Sequence, residues 1–299
     1  MTEFEELDQY IDFLQRRGRK PGTIMNYDKN LRHVMRLLRD NGKHYLAAEV
    51  TEDDMAWLYM TLTDIKECTR KGYLRLLSNL VEYFTGVNLL KRTALLFNDD
   101  SGEVNVHYIT LEQFKTLYEE GDAHDRMILV LGAFMGLRRA EMAAILMEDI
   151  HGDTMLIRGK GHGPNGKLVE MRIPERVKAE IADYLTFKEL YPMGYEGSHL
   201  IETGSRHHVL RPTDPQSIGH RMNDLKHETG IQFTTHSLRR LYATTLYYDV
   251  GADLITIKGL MRHSKAETTI TRYIAPMKKK ETEAANSLDN LLCNALGEV

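Results

Sequence analysis

The chain has 299 residues, 42% of them hydrophobic and 27% charged, with a formal net charge of −4, values ordinary for a soluble globular protein long enough for two domains. No apolar run approaches the ~20 residues of a membrane helix, and the acidic start MTEFEELDQY is unlike a signal peptide. The two cysteines, Cys68 and Cys293, make neither a disulfide framework nor a four-ligand zinc site, so a reducing cytoplasm and no metal are expected.

The acidic balance argues mildly against a nucleic-acid partner, but a partner senses the local field and not the average. Basic residues cluster at Arg16-Arg17-Gly18-Arg19-Lys20, at Arg70-Lys71 with Arg75, at Lys91-Arg92, at Arg239-Arg240 and at Lys278-Lys279-Lys280. Most such runs are solvated helix faces, so charge alone does not establish DNA binding.

In chain order, residues 2–17 read as an amphipathic helix, with Thr2 and Glu5 as a capping box and Phe4, Leu7, Ile11 and Leu14 at helical spacing. A second helix covers about 22–40, with Ile24, Tyr27, Leu31, Val34 and Leu38 on one side. Thr51 caps a third, and a fourth covers about 67–85, burying Tyr73, Leu76, Leu77, Leu80 and Phe84 and presenting Arg70, Lys71 and Arg75 outward. Residues 92–108 lose helical periodicity and contain the turn signal Asp99-Asp100-Ser101-Gly102. The expected organisation is a helical domain at 1–92, a linker at 93–108 and a second domain at 109–299.

In the second domain, Thr110 and Gln113 open a helix. The apolar run 127–134 reads as a buried one leading to Gly136, and Arg138 begins another that carries Ile145 and Leu146 inward. Residues 154–174 take on strand character, forming a hairpin around the tip Gly159-Lys160-Gly161-His162-Gly163-Pro164-Asn165-Gly166-Lys167. That tip lacks P-loop spacing, so no nucleotide site is expected. A helix at 175–190 precedes a loop-rich stretch, 191–213, where His207 and His208 lack partners at ligand spacing and read as loop histidines. Helix 214–229 leads to the stretch 235–273. Residues 279–297 read as a last helix with Ala284, Leu288, Leu291, Leu292 and Ala295 on one face.

Residues 235–273 carry the chemistry. His236 and Arg239 lie three apart, so a helix puts them on one face. They are followed by Arg240, Arg262, His263, Thr268-Thr269 and Tyr273. Arginine suits a phosphate because its planar fork makes two parallel charge-assisted hydrogen bonds. A phenol, with an unperturbed pKa near ~10, attacks at neutral pH only if a neighbour takes its proton or stabilises its anion. Of the 15 tyrosines, Tyr242, Tyr247 and Tyr248 read as packing residues. Tyr273 is singled out by its distance from His263.

The pattern H-x-x-R, His-Ser, Thr-Thr and a tyrosine ten residues after the histidine resembles the tyrosine recombinase family of phage integrases and Xer-type enzymes. Gly136-Leu137-Arg138 upstream and Arg158-Gly159-Lys160-Gly161 between them resemble two further motifs of that family. The resemblance implies a mainly α protein with a small antiparallel β-sheet: a helical, SAM-like core-binding domain and an α+β catalytic domain. It implies a site-specific recombinase that cleaves and rejoins double-stranded DNA through a 3′-phosphotyrosyl link, with no cofactor. Tyr273 is the implied nucleophile, Arg138 and Arg239 the phosphate clamps, and Lys160 the general acid. His236 handles the tyrosine proton, and His263 hydrogen-bonds the phosphate or helps orient the nucleophile. The hairpin tip is longer than usual for the family, which leaves the acid open between Lys160 and Lys167. Arg262 stands where the family more often has glycine, and reads as a further phosphate contact. Arg70, Lys71, Arg75, Lys167 and Arg240 are further candidate DNA contacts. A homotetramer on DNA with exchange of the C-terminal helix, and accessory proteins, are implied in the same way. A type IB topoisomerase and a catalytically inactive DNA-binding paralogue are the competing readings.

Overall fold

The computed structural model describes residues 4–92, 108–159, 167–204 and 208–262. The chain divides into two compact units, Met1–Val104 and Asn105–Val299, with the division inside the stretch expected as a linker.

The first unit is helical: α1 (Glu5–Arg16), α2 (Pro21–Asp40), α3 (Glu52–Thr61), α4 (Glu67–Thr85) and the single turn α5 (Leu89–Arg92). The apolar stripes of α1, α2 and α4 meet in one cluster around Leu7, Leu14, Leu31, Met35 and Leu80. A second cluster joins Val34 and Leu38 to Met55, Leu58, Leu74 and Leu77. Thr51 caps α3 through a capping box with Asp54, as its sequence position predicts. In α1 the described helix starts at Glu5 after Phe4, and the expected Thr2 cap lies outside the described residues. Leu74 and Val81 lie in the core of α4, whereas Tyr73 and Phe84 are only half-buried against it.

The second unit begins with α6 (Leu111–Glu120), α7 (Ala123–Met135) and α8 (Arg139–Ala143). Strands β1 (Ile150–His151), β2 (Thr154–Gly159) and β3 (Lys167–Arg172) then form an antiparallel sheet in sequential order, with Met155 opposite Met171 and Gly159 opposite Lys167. Next come α9 (Glu175–Glu189), the two-stranded pair β4 (Glu202–Thr203) and β5 (Arg211–Pro212), α10 (Pro215–Thr229), α11 (Thr235–Tyr248) and α12 (Leu254–Leu260). The apolar α7 runs through the middle of the core, which gathers Leu129, Leu131, Met142, Ile157, Val177, Tyr184, Ile218 and Leu238.

One expectation is corrected here. The helix begun at Arg138 is only five residues long, and Ile145 and Leu146 lie beyond it. Their backbone is taken by residues 198–200: the Leu200 N–H donates to the Ile145 carbonyl at 2.9 Å, and the Met147 N–H donates to the Ser198 carbonyl at 3.1 Å. An amide committed to a neighbouring segment cannot continue a helical ladder. The loop-rich stretch 191–213 carries the short pair β4 and β5, and its residue His199 bridges to Leu146.

Candidate active site

The site is built where α7 ends. Gly136 closes that helix in the left-handed region, at φ +57°. A side chain there would also meet the Tyr242 ring, with a Cβ 2.5 Å from Cδ1. One turn back, a Cβ on Gly132 would lie 2.8 Å from Leu238. Glycine at both positions lets α7 and α11 approach closely, which brings the Gly136 carbonyl to the arginine of α11.

That arginine is Arg239. Thr234 caps α11 in a reciprocal box with Ser237, and this sets the helix start at Thr235, one residue before His236. The Arg239 side chain is fully buried, with Nη1 donating to the Gly136 carbonyl and Nη2 to the Met261 carbonyl. Arg138 is the residue just before α8. Its N–H donates to Glu141 Oε2 at 2.9 Å and its Nη1 to Glu141 Oε1 at 2.6 Å, and a quarter of the side chain stays exposed. Glu141 is itself buried. Burial favours its neutral form, but Arg262, the Arg138 N–H and the Arg138 guanidinium overcome this and hold its carboxyl below the ordinary carboxylate range.

Arg262 is turned inward, not toward solvent. Its side chain is 5% exposed, Nη2 lies 2.7 Å from Glu141 Oε2 and 3.0 Å from the Gly136 carbonyl, and Nη1 donates to the Leu260 carbonyl at 2.9 Å. Arg239 Nη1 is 4.0 Å from the same Glu141 oxygen. Three guanidiniums around one carboxylate leave an excess of two positive charges. A phosphodiester carries one negative charge and gains more as a nucleophile adds, so this excess favours the transition state.

His236 opens to solvent on one side. The protein packed around its ring, and then Arg240, Arg239, Arg138 and Arg139, push its pKa below the ordinary imidazole value. It is therefore neutral at pH 7 and able to accept a proton.

The structure thus brings together Arg138, His236 and Arg239, three of the six residues expected to carry the chemistry. Lys160, His263 and Tyr273 lie outside the described residues, as do the hairpin tip at 160–166, His207 and the expected C-terminal helix. Among the other candidate DNA contacts, Arg240 is half-buried at this site and Lys167 begins β3. In the first unit Arg75 is exposed. Arg70 lies over the Tyr59 ring, 4.5 Å from its centre, and Lys71 pairs with Glu67 at 2.9 Å. The sequence reading did not anticipate that Arg262 points inward.

A cavity of about 450 Å³ opens beside Arg262, between β3, the end of α7 and α12. Its walls combine Phe134, Met135, Val169, Tyr242 and Leu260 with the charged Glu170, Arg172 and Arg262.

The chain is thus a two-part protein, a helical unit followed by a mixed unit that gathers three arginines around one carboxylate, and the comparisons identify its family. Residues 107–280 match the model of the phage integrase family, and the chain belongs to that family as a tyrosine-type site-specific recombinase. A tyrosine recombinase XerA of Pyrococcus furiosus is 26% identical over 298 residues, covering 96% of each chain. The fold is shared with the integrase of transposon Tn1549, solved with a circular intermediate DNA, at 16% identity and a TM-score of 0.69 over 95% of this chain and all of the other. It is also shared with a lambda integrase tetramer solved on a Holliday junction, at 17% identity and a TM-score of 0.65, covering 87% of this chain and 77% of that one.

Proposed function

We propose that this recombinase breaks a DNA strand by attack of Tyr273 on the scissile phosphorus, forming a 3′-phosphotyrosyl ester and releasing a 5′-hydroxyl. Arg138 and Arg239 hold the non-bridging oxygens, neutralising the charge that builds in the pentacoordinate state. Neutral His236 takes the phenolic proton. Lys160, with Lys167 as the alternative, protonates the leaving 5′ oxygen, and His263 hydrogen-bonds the phosphate. The ester keeps the free energy of the broken bond, so the 5′-hydroxyl of a partner strand reverses the step and exchanges strands without a nucleotide or a metal.

The observation that carries this reading is the convergence of Arg138 and Arg239 on Glu141 and Gly136, from positions about a hundred residues apart in sequence. The partner is double-stranded DNA, in keeping with the DNA-bound states in which the similar integrases were solved. The helical unit at 1–92 grips the duplex with Arg75 and its neighbours, while Arg240 and Lys167 serve the catalytic side. Assembly is as a tetramer on DNA, with the segment 279–297 exchanged between protomers.

The test is a randomised library of nicked suicide duplexes, from which covalent adducts are selected on a denaturing gel. The wild-type chain traps an adduct, and Tyr273→Phe binds the selected duplex equally well and traps none. An adduct with Tyr273→Phe places the nucleophile elsewhere, and relaxation of a plasmid lacking the selected sequence identifies a topoisomerase.

A further inference from the structure

We propose that Arg262 is a positioning residue for the two phosphate clamps, acting through Glu141 and Gly136 and not by touching DNA; this rests on the recombinase reading above. Among the described residues it is the one non-glycine with a positive φ, at +54°. The left-handed region disfavours a side chain with a Cβ, so the guanidinium must be held firmly to keep arginine there. It is held by four elements. Nη1 reaches the Leu260 carbonyl of α12 and Met171 Sδ of β3, while Nη2 reaches the Gly136 carbonyl that ends α7 and the Glu141 carboxylate of α8.

Two consequences follow from those contacts. Glu141 Oε1 accepts from the Arg138 guanidinium, while Oε2 accepts from both the Arg138 N–H and Arg262 Nη2, so Arg262 shares with the Arg138 backbone in fixing the rotation of the carboxylate that orients the Arg138 guanidinium. The Gly136 carbonyl accepts from both Arg262 and Arg239, so the seat of the second clamp is shared as well. Arg262 also brings a third positive charge to Glu141. With glycine at 262, that carboxylate would answer to Arg138 and Arg239 alone. A lysine cannot replace this geometry, because its single nitrogen lacks the two-pronged reach that spans the α7 and α12 carbonyls.

The experiment compares the wild-type chain with Arg262→Gly, Arg262→Lys, Glu141→Gln and the Glu141→Gln/Arg262→Gly double variant, on a nicked duplex selected as above. Arg262→Gly also relieves the backbone, which guards against simple misfolding. Expected for Arg262→Gly are duplex affinity within twofold of wild type, an unchanged salt dependence of binding, and a covalent-adduct rate at saturating protein lower by about ten- to a hundredfold, as a displaced clamp gives. Arg262→Lys recovers part of that rate. The double variant is no slower than the worse single one, as two residues acting through one carboxylate require. An adduct rate equal to wild type in Arg262→Gly overturns the proposal. Weaker binding with a shallower salt slope also overturns it, because that is the signature of a direct phosphate contact. The ¹⁵Nε–Hε resonances of Arg138 and Arg239, recorded without DNA, move in Arg262→Gly if the proposal holds and stay in place if it fails. Should the wild-type chain trap no adduct at all, the recombinase reading falls, and these resonances still decide the positioning role.

Discussion

Arg239 and His236 share a helix face but have opposite surroundings, and each supports a separate expectation. Arg239 is fully buried with both Nη groups on backbone carbonyls, so Arg239→Lys leaves one of those carbonyls without its donor. Adduct formation should fall by about 10²–10³, as when an oxyanion donor is deleted, while duplex binding measured by filter retention changes little. His236 has its pKa lowered by packing and by four arginines. The neutral base therefore survives into more acid solution than an ordinary imidazole. A pH–rate profile of single-turnover cleavage should show its acid limb below 6.5, and His236→Ala should abolish that limb. A limb at or above 6.5 would mean that the surrounding charge does not act on the ring.

At the scale of elements, the crossing of α7 and α11 decides whether the clamps meet. The two helices touch at Gly132 with Leu238 and at Gly136 with Tyr242, where even a methyl group overlaps its neighbour. Gly136→Ala would combine a left-handed φ with a Cβ 2.5 Å from the Tyr242 ring. The expected loss is about 1–3 kcal/mol of stability, read as a lower Tm. Cleavage should fall further than stability explains, because the displaced carbonyl is the acceptor for Arg239. Equal cleavage rates at a temperature where both proteins are folded would show that the crossing tolerates movement.

At the scale of the whole molecule, the second unit is tied together at the far end of α7 by buried polar groups. His124 Nδ1 lies 2.6 Å from the Tyr184 hydroxyl, which itself donates to the Glu202 carbonyl at 3.0 Å. The hydroxyl has one proton to give, so the His124 Nδ1–H is the donor to it. Glu202 in turn pairs with Lys188 at 2.9 Å, both side chains fully buried. Burial, with Arg221 and Lys188 nearby, lowers the His124 pKa from 6.5 to about 4. The unfolded chain then takes up this proton first, so the contribution of His124 to stability declines from about pH 6.5 and levels off near pH 4. The total loss is about 3 kcal/mol at ~1.4 kcal/mol per pKa unit. Asp125 acts the other way: burial and the adjacent Asp122 raise its pKa despite Arg221, so the folded state gains as that carboxyl protonates. Urea melts of wild type and His124→Gln between pH 7 and pH 4 separate the two, because the variant should gain on wild type by about 3 kcal/mol across that range. Parallel stability curves would show that the ring is not shielded.

Much of this was legible in the residues themselves. Apolar stripes at helical spacing located α1 to α4 and α7, and Thr51 and Thr110 capped the helices that follow them. Those are local effects, set within one or two turns of chain. Gly136-Leu137-Arg138 and His236-x-x-Arg239 marked residues that the fold brings together around Glu141 and the Gly136 carbonyl. The length of α8 was not legible, since it ends where residues 198–200 claim its backbone. Nor was the direction of Arg262. Read along the chain it is one more cation among basic residues; in the fold, a carboxylate 121 positions away and a carbonyl 126 away draw it inward. Sequence by itself determined which chemistry the chain carries and where its helices begin. Only the tertiary structure decided that Arg262 turns inward onto Glu141 and the Gly136 carbonyl, because that direction depends on buried acceptors that distant segments bring within hydrogen-bonding reach.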